Sequence, residues 1–280
     1  MKLIAESGAT KTDWRSVSED GRVLSVTTVG MNPAVCDEAT ILSAVREAVP
    51  VLNPEGKRVD RIYFYGAGLV SEESAAPIRA AFDMWCPFAE VFFFSDLLAA
   101  ARALFGDGSG IAAIMGTGSN SCLYKEGRIV GNIRPGGFIL GDEGSGAALG
   151  KAFISDFVKG MLPSDIEMEF SAKFSLDYPT VVKRVYNEPA PSAFLASFAP
   201  FLVERLSHPY VNSLVSRCME AFMDRSLARY CADRTMEVGV VGSFGCACED
   251  IIREAGRSRG LEFVKFIKTP IEELVKYHGI

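Results

Sequence analysis

Histidine is almost missing from this 280-residue chain: only His208 and His278 occur, both far from the glycine-rich stretches. The one close cysteine pair, Cys246 and Cys248, has no second pair and no neighbouring histidine to complete a zinc site. Seven cysteines, an odd number, are scattered at 36, 86, 122, 218, 231, 246 and 248. That spacing excludes a disulfide framework, and most of these residues stand in apolar segments as small hydrophobes. A basic surplus is lacking too. Lys and Arg number 29 against 35 Asp and Glu, a net charge of −6, which argues against a nucleic-acid-binding surface. The one late basic cluster, "REAGRSRG", reads as the solvated end of a helix. No apolar run approaches the roughly 18 residues of a spanning helix. Only Leu3-Ile4-Ala5 separates Lys2 from Glu6, so no signal-peptide apolar region is read there. A cytoplasmic protein with no membrane and no nucleic-acid partner is the expectation.

What is present is an ordinary globular balance, 49% apolar and 23% charged residues, on a chain long enough for two cores. Strand patterns open it at Lys2–Ala5, Trp14–Ser18 and Val23–Val29, the last two joined by the turn "EDGR". Asp37 predicts a helix N-cap, with apolar positions following to about Val49. "RIYFYGAG" is a buried strand, "SEESAAPIRAAFDMW" a helix opened by a capping box at Ser71 and Ser74, "EVFFFSD" a strand, and "DLLAAARALF" a helix. Around "GDGSG" (106–110) the pattern restarts with strands at "IAAIMG", "SNSCLYK" and "RIVGNIR". A mostly helical stretch follows from Glu143 to about Arg229, broken by prolines. "MEVGVVG" returns as a strand, "FGCACEDIIREAGRSRG" as one helix, "LEFVKFI" as a strand, and a last helix begins near Pro270. Both halves open alike, which predicts a duplicated α/β unit. The expected domains are 1–107 and 108–280. The second carries a helical insert at about 143–230, and the helix of about 270–280 packs back on the first.

The two repeated turns are "ESGATKT" and "GTGSN". A polyphosphate needs several N–H and O–H donors converging on one place, with close backbone approach. Glycine permits the approach, consecutive turn amides form an anion-binding nest, and Ser or Thr hydroxyls add donors. Lys11 adds a point charge, and Thr10 and Thr12 are read as further donors. Neither turn is a P-loop or a dinucleotide fingerprint. Either turn alone reads equally well as a plain hairpin; the pair at equivalent places is the informative signal. A third site, "VVGSFG", ends a strand and opens a helix, so that Gly242 and Ser243 suit the face of a flat ring, or simply a tight βα turn.

The motifs "ESGATKTD", "SD" before a helix, "GTGSN", "GGFILGDEGSG" and "VGSFG" stand in an order that resembles the actin–hexokinase–sugar kinase superfamily. Within it the chain looks like the BadF/BadG/BcrA/BcrD-type group that includes N-acetylglucosamine kinases, and the resemblance covers nearly the full length. It implies two actin-like (ribonuclease H-like) ATPase domains with mixed sheets and a cleft between them, with ATP and Mg²⁺ as cofactors. It places Gly8, Thr10 and Lys11 in the first phosphate loop, Thr117, Gly118 and Ser119 in the second, and Gly242 and Ser243 at the adenosine. Asn32 in "VGMNP", Asp96 and Asp142 match sugar-contacting positions. Glu6 stands where the superfamily usually has an Asp that holds Mg²⁺ through water, and Asp142 is a further carboxylate for that ion.

Phosphoryl transfer needs positioning, charge neutralisation and a group that takes the acceptor proton. Asp96, at the C-terminal end of a strand, is read as that base, with helix N-capping as its bland alternative. Asp142 carries the same alternative, and Glu143 is left open. The function expected is transfer of the ATP γ-phosphate to a hydroxyl of an amino sugar, with N-acetylglucosamine the favoured acceptor. Two other readings stand beside it. One is an ATPase activator of a reductase or dehydratase, which requires an interfacial iron–sulfur cluster held by cysteines. The other is a non-catalytic nucleotide or sugar sensor. The helical insert is read as a homodimer interface.

Overall fold

The computed structural model describes residues 1–8, 10–69, 71–231 and 236–279. Ala9 of the first glycine turn and Ile280 of the last helical segment lie outside the described residues. The chain divides into two compact units, Met1–Asp107 with Thr269–Ile280, and Gly108–Lys268.

The first unit runs β1 (Lys2–Ser7), β2 (Lys11–Val17), β3 (Val23–Val29), α1 (Glu38–Leu52), β4 (Arg61–Gly66), α2 (Glu72–Trp85), β5 (Glu90–Ser95) and α3 (Asp96–Phe105). Its sheet order is β3-β2-β1-β4-β5. The β1, β2 and β3 strands form an antiparallel meander, and β4 and β5 join parallel to β1. Strand alternation separates two cores. Leu3, Ala5, Trp14 and Phe64 face α1 and α2, while Ile4, Tyr65 and Ala99 of α3 form the other. Trp14, Phe64 and Phe82 are fully buried, and burial of each such side chain contributes about 1.5–3 kcal/mol. Helix starts follow side-chain caps. Asp37 accepts from Thr40 N–H at 2.8 Å, and Ser71 and Ser74 close the capping box.

The second unit runs β6 (Ser109–Met115), β7 (Ser119–Lys125), β8 (Arg128–Ile133), α4 (Gly137–Leu140), α5 (Gly146–Val158), α6 (Ser164–Phe174) and α7 (Tyr178–Val182), then a π-helical turn. It continues through α8 (Pro191–Ala196), α9 (Ala199–Val203), α10 (Pro209–Arg225), β9 (Met236–Val241), α11 (Ser243–Ala247), α12 (Glu249–Arg257) and β10 (Leu261–Ile267). Its sheet order, β10-β9-β6-β7-β8, repeats the first with the same parallel and antiparallel pairings. The duplicated α/β architecture with two five-stranded mixed sheets is therefore real.

The last helix, α13 (Ile271–Tyr277), belongs to the first unit. It joins α3 on the Ile4/Tyr65 face through Ile271, Leu274 and Val275. Arg15 pairs with Glu272, and the His278 ring stacks on Tyr63 at 3.7 Å.

One local expectation is corrected and one alternative removed. The predicted helix 244–260 breaks at Cys248 into α11 and α12. The segment "GGFILG" contains the helical turn α4. The capping alternative for both aspartates fails, because Ser95 caps α3 through Leu98 N–H and Ser145 caps α5 through Ala148 N–H. Side-chain hydroxyls one and three residues away cap the helix ends, so neither aspartate is the N-cap residue.

Candidate active site

In the first unit, the Gly8–Lys11 turn closes with Gly8 N–H donating to Lys11 C=O at 2.9 Å. The register of β1 against β2 sets Glu6 opposite Asp13. Glu6 shares the face of Ile4, two residues earlier, and α3 packs on that face with Asp96 as its first residue. Three carboxylates are thereby electrostatically joined. Burial first, and then the charges of Asp13 and Asp96, push the Glu6 carboxyl up to about 7, with Lys11 pulling it down. Burial also raises Asp96, opposed by the Leu97 N–H that its Oδ1 accepts at 2.8 Å. Asp13 accepts from Thr27 Oγ1 at 2.9 Å and from Lys11 Nζ at 2.5 Å. The Lys11 charge is thus already engaged.

The hydroxyls of this turn divide. Ser7 Oγ accepts from Met31 N–H at 2.8 Å and donates to Thr12 Oγ1 at 2.9 Å, which in turn donates to Val29 C=O at 2.9 Å. Both residues are fully buried. Thr12 is therefore a sheet-locking residue, and the expectation that its hydroxyl serves as a ligand donor is corrected. Thr10 is exposed, and its hydroxyl has no partner among the described residues. Asn32, at the end of the meander, accepts from Ala34 N–H through Oδ1 at 2.9 Å. Its amide N–H₂ has no acceptor among the described residues, and no hydrogen bond joins it to Glu6 or Asp96.

In the second unit the equivalent turn is held from behind. Gly116 N–H donates to Gly118 C=O at 3.0 Å, while Gly146 and Ala147, at the start of α5, donate to the carbonyls of Gly116 and Thr117 at 2.8 and 3.0 Å. With those carbonyls turned toward α5, the N–H groups of Thr117 and Gly118 have no acceptor among the described residues. Ser119 is used internally: its hydroxyl donates to Glu143 C=O at 2.7 Å, and its backbone N–H opposes the effect of burial on the Asp142 carboxyl. Asp142 sits at φ 55°, in the left-handed region, and burial raises its carboxyl.

Gly242 has φ 131°, and a Cβ there would lie 2.2 Å from Met115 C=O, so only glycine lets the end of β9 pass the end of β6. This close approach at the ends of the two paired strands brings Ser243 and Phe244 beside Gly116 and Thr117. The four residues line one groove of about 270 Å³ with Gly146, Ala196, Ala199, Pro200, Val203 and Ala247.

Thus Glu6 and Asp96 are brought together in one unit, and Thr117 and Ser243 in the other, as are Ser119 and Asp142. The sequence reading missed Asp13, although it is the last letter of "ESGATKTD"; its signal was the two-strand register opposite Glu6. It also missed the groove wall from α8 and α9, whose small apolar residues carry no local pattern. Among the described residues no group of three or more His, Cys, Asp or Glu side chains is arranged to hold a metal directly. No described helix is long and apolar enough to cross a membrane.

No protein-family model and no curated protein matches the chain. Solved structures do. A candidate N-acetylglucosamine kinase from Porphyromonas gingivalis is 37% identical, with a TM-score of 0.93 over 99% of this chain and 98% of that one. A candidate N-acetylglucosamine kinase from Chromobacterium violaceum shares the fold at 18% identity, TM-score 0.74, over 99% and 98% of the two chains. A ROK hexokinase from Thermus thermophilus shares it at 18% identity, TM-score 0.54, over 95% and 92%. Full-length similarity at 37% identity, on a duplicated actin-like fold carrying all five motifs, decides the family: the chain belongs to the N-acetylglucosamine kinase group within the actin–hexokinase–sugar kinase superfamily.

Proposed function

We propose that this protein is an ATP-dependent kinase that phosphorylates a hydroxyl of an amino sugar, N-acetylglucosamine being the acceptor. The observation that carries the reading is the groove of the second unit. Two motifs about 125 residues apart, Gly116–Thr117 and Ser243–Phe244, line a single recess of about 270 Å³. Its walls are apolar and backbone-rich, suited to a flat base, and the unpartnered amides of Thr117 and Gly118 supply anion donors at its edge. Gly8, Thr10 and Lys11 are the phosphate-binding groups of the first unit on this reading. Ser119 acts by holding the second turn's shape, since its own polar groups are engaged.

The carboxylates fit a divalent cation. Burial first, and then the charges of Asp13 and Asp96, hold Glu6 near 7, and a nearby cation, bound through water, would favour its charged form. Mg²⁺ at such a site would neutralise phosphate charge; Glu6 and Asp142 are its carboxylates in this proposal. Asp96 takes the proton. One of its oxygens is fixed by Leu97 N–H, which leaves the other as the acceptor for a sugar hydroxyl at the C-terminal end of β5. Asn32 and Asp142 hold the sugar.

The test is ADP release with Mg²⁺ across an amino-sugar panel, for the wild type and Asp96→Ala. Sugar-dependent turnover, lost in the variant by roughly 10²–10⁴-fold with ATP binding intact, is expected. ATP binding without stimulation by any sugar would overturn the kinase reading and favour a sensor or an activator ATPase.

A further inference from the structure

Asp142 presents a positional problem. A left-handed backbone in a non-glycine residue costs about 1–3 kcal/mol and persists only where the surroundings over-determine it. On its inner side the segment 134–145 is well tied. Asp142 N–H donates to Pro135 C=O at 2.9 Å, Ser145 N–H donates to Asp142 C=O at 3.2 Å, and the Ser119 hydroxyl holds the Glu143 carbonyl at 2.7 Å. Gly141 packs so closely that a Cβ there would lie 1.9 Å from Pro135 C=O.

The outer side borders a groove of about 510 Å³ between α5 and α10, lined by Leu140, Gly141, Glu143, Lys151, Arg217 and Arg225 among others. Two side chains reach across to the segment. Lys151 Nζ donates to Phe138 C=O at 2.7 Å, and Arg225, on the last turn of α10, pairs with Glu143 at 2.6 Å. Glu143 is mostly buried, with 19% side-chain exposure, whereas Arg225 is 67% exposed. Such a pair adds little to global stability, about 0–1 kcal/mol. It does fix where one Glu143 carboxylate oxygen goes, onto the last turn of α10.

We propose that Arg225 is a positioning residue: by holding Glu143 over the α5–α10 groove it keeps Asp142 in the strained conformation that presents its carboxylate. This rests on the reading of Asp142 as a sugar-binding group. It assigns a role to Glu143, whose chemistry the sequence motif leaves open, and links α10 of the helical insert to the substrate loop. Small displacements of a positioning group cost far more in substrate handling than in stability, which separates this role from a merely structural one.

The experiment compares wild type, Arg225→Met, Arg225→Lys and, as a matched cation of the same groove, Arg217→Ala. Arg225→Met is expected to raise the acceptor-sugar KM about 5–30-fold, with the KM for ATP within about twofold and Tm within about 3 °C. Arg225→Lys recovers most of the loss, and Arg217→Ala changes little. In a Glu143→Gln background the Arg225→Met effect disappears. Amide hydrogen exchange over 134–146, measured without substrate, quickens in Arg225→Met. An unchanged sugar KM in an active enzyme, additivity with Glu143→Gln, or unchanged exchange overturns the proposal. Absence of any sugar-dependent turnover in the wild type would overturn the kinase reading instead, and the exchange measurement would still decide whether Arg225 holds the loop.

Discussion

The two units repeat one topology and divide its chemistry. Each opens with a strand, a small-residue turn and a second strand, in sheets of matching order. In the first, the register opposes Glu6 to Asp13 and α3 adds Asp96, so the face beyond the turn is crowded with negative charge. In the second, the equivalent turn has its carbonyls tied to α5 and its amides unpartnered, beside an uncharged groove. Duplication supplied the scaffold twice. Which side chains stand at the strand ends then made one copy acidic and the other donor-rich. A catalyst of phosphoryl transfer requires both kinds of environment.

The comparison can be broken at several points. The largest effect after loss of Asp96 belongs to Gly242→Ala, which forces a Cβ against Met115 C=O at 2.2 Å in a backbone conformation closed to alanine. A loss of about 2–4 kcal/mol in urea unfolding of the second unit is expected; a loss under about 0.5 kcal/mol would show that this close approach is not rigid. Ala247→Trp, an exposed position on the groove wall, is expected to weaken ATP binding by roughly tenfold to a hundredfold, about 1.4–2.7 kcal/mol, with Tm unchanged. Calorimetric titration giving wild-type affinity would remove the nucleotide from that groove.

On the acidic side, the sign of the pH effect is determined by Glu6. Its folded carboxyl titrates near 7, above the 4.5 of an ordinary glutamate, so the folded state holds the proton more tightly than the unfolded chain. In the absence of divalent cation, stability from this group is full below about 4.5 and declines as pH rises to about 7. Glu6→Gln removes that decline, and the variant gains on the order of 1–3 kcal/mol over wild type at pH 8 relative to pH 4.5. Parallel unfolding free energies across that range would contradict the crowded-carboxylate description. The smallest effect separates the hydroxyls. Thr12→Val is expected to cost about 1 kcal/mol of stability, since it leaves Ser7 without its acceptor, and to leave ATP affinity unchanged.

How much of this was legible in advance varies with range. Strands β3 and β7 and the Asp37 and Ser71 caps follow from patterns within a few residues, and they appear in the structure at those places. The duplication was legible because both copies kept the strand–turn–strand signature. The roles of individual hydroxyls were not: Ser7, Thr10 and Thr12 look alike in "SGATKT", yet one is exposed and two are spent inside the sheet. The capping alternative for Asp96 and Asp142 stayed open for a similar reason. Asp and Ser are both good capping residues, and backbone direction at the helix start chose Ser95 and Ser145.

By itself the sequence determined the periodicities, the punctuation by glycine and proline, and the set of donors and acids available, because each of these acts over a few neighbouring residues. Only the tertiary structure decided which of those groups meet. Asp13 reached Glu6 through strand register, Ser243 reached Thr117 through the close packing of Gly242 on Met115 where the paired strands β9 and β6 end, and Arg225 reached Glu143 across 82 residues of chain. Such encounters depend on how sheets and helices pack. The pairing partner of a polar side chain is set by the fold around it and not by its neighbours in the chain.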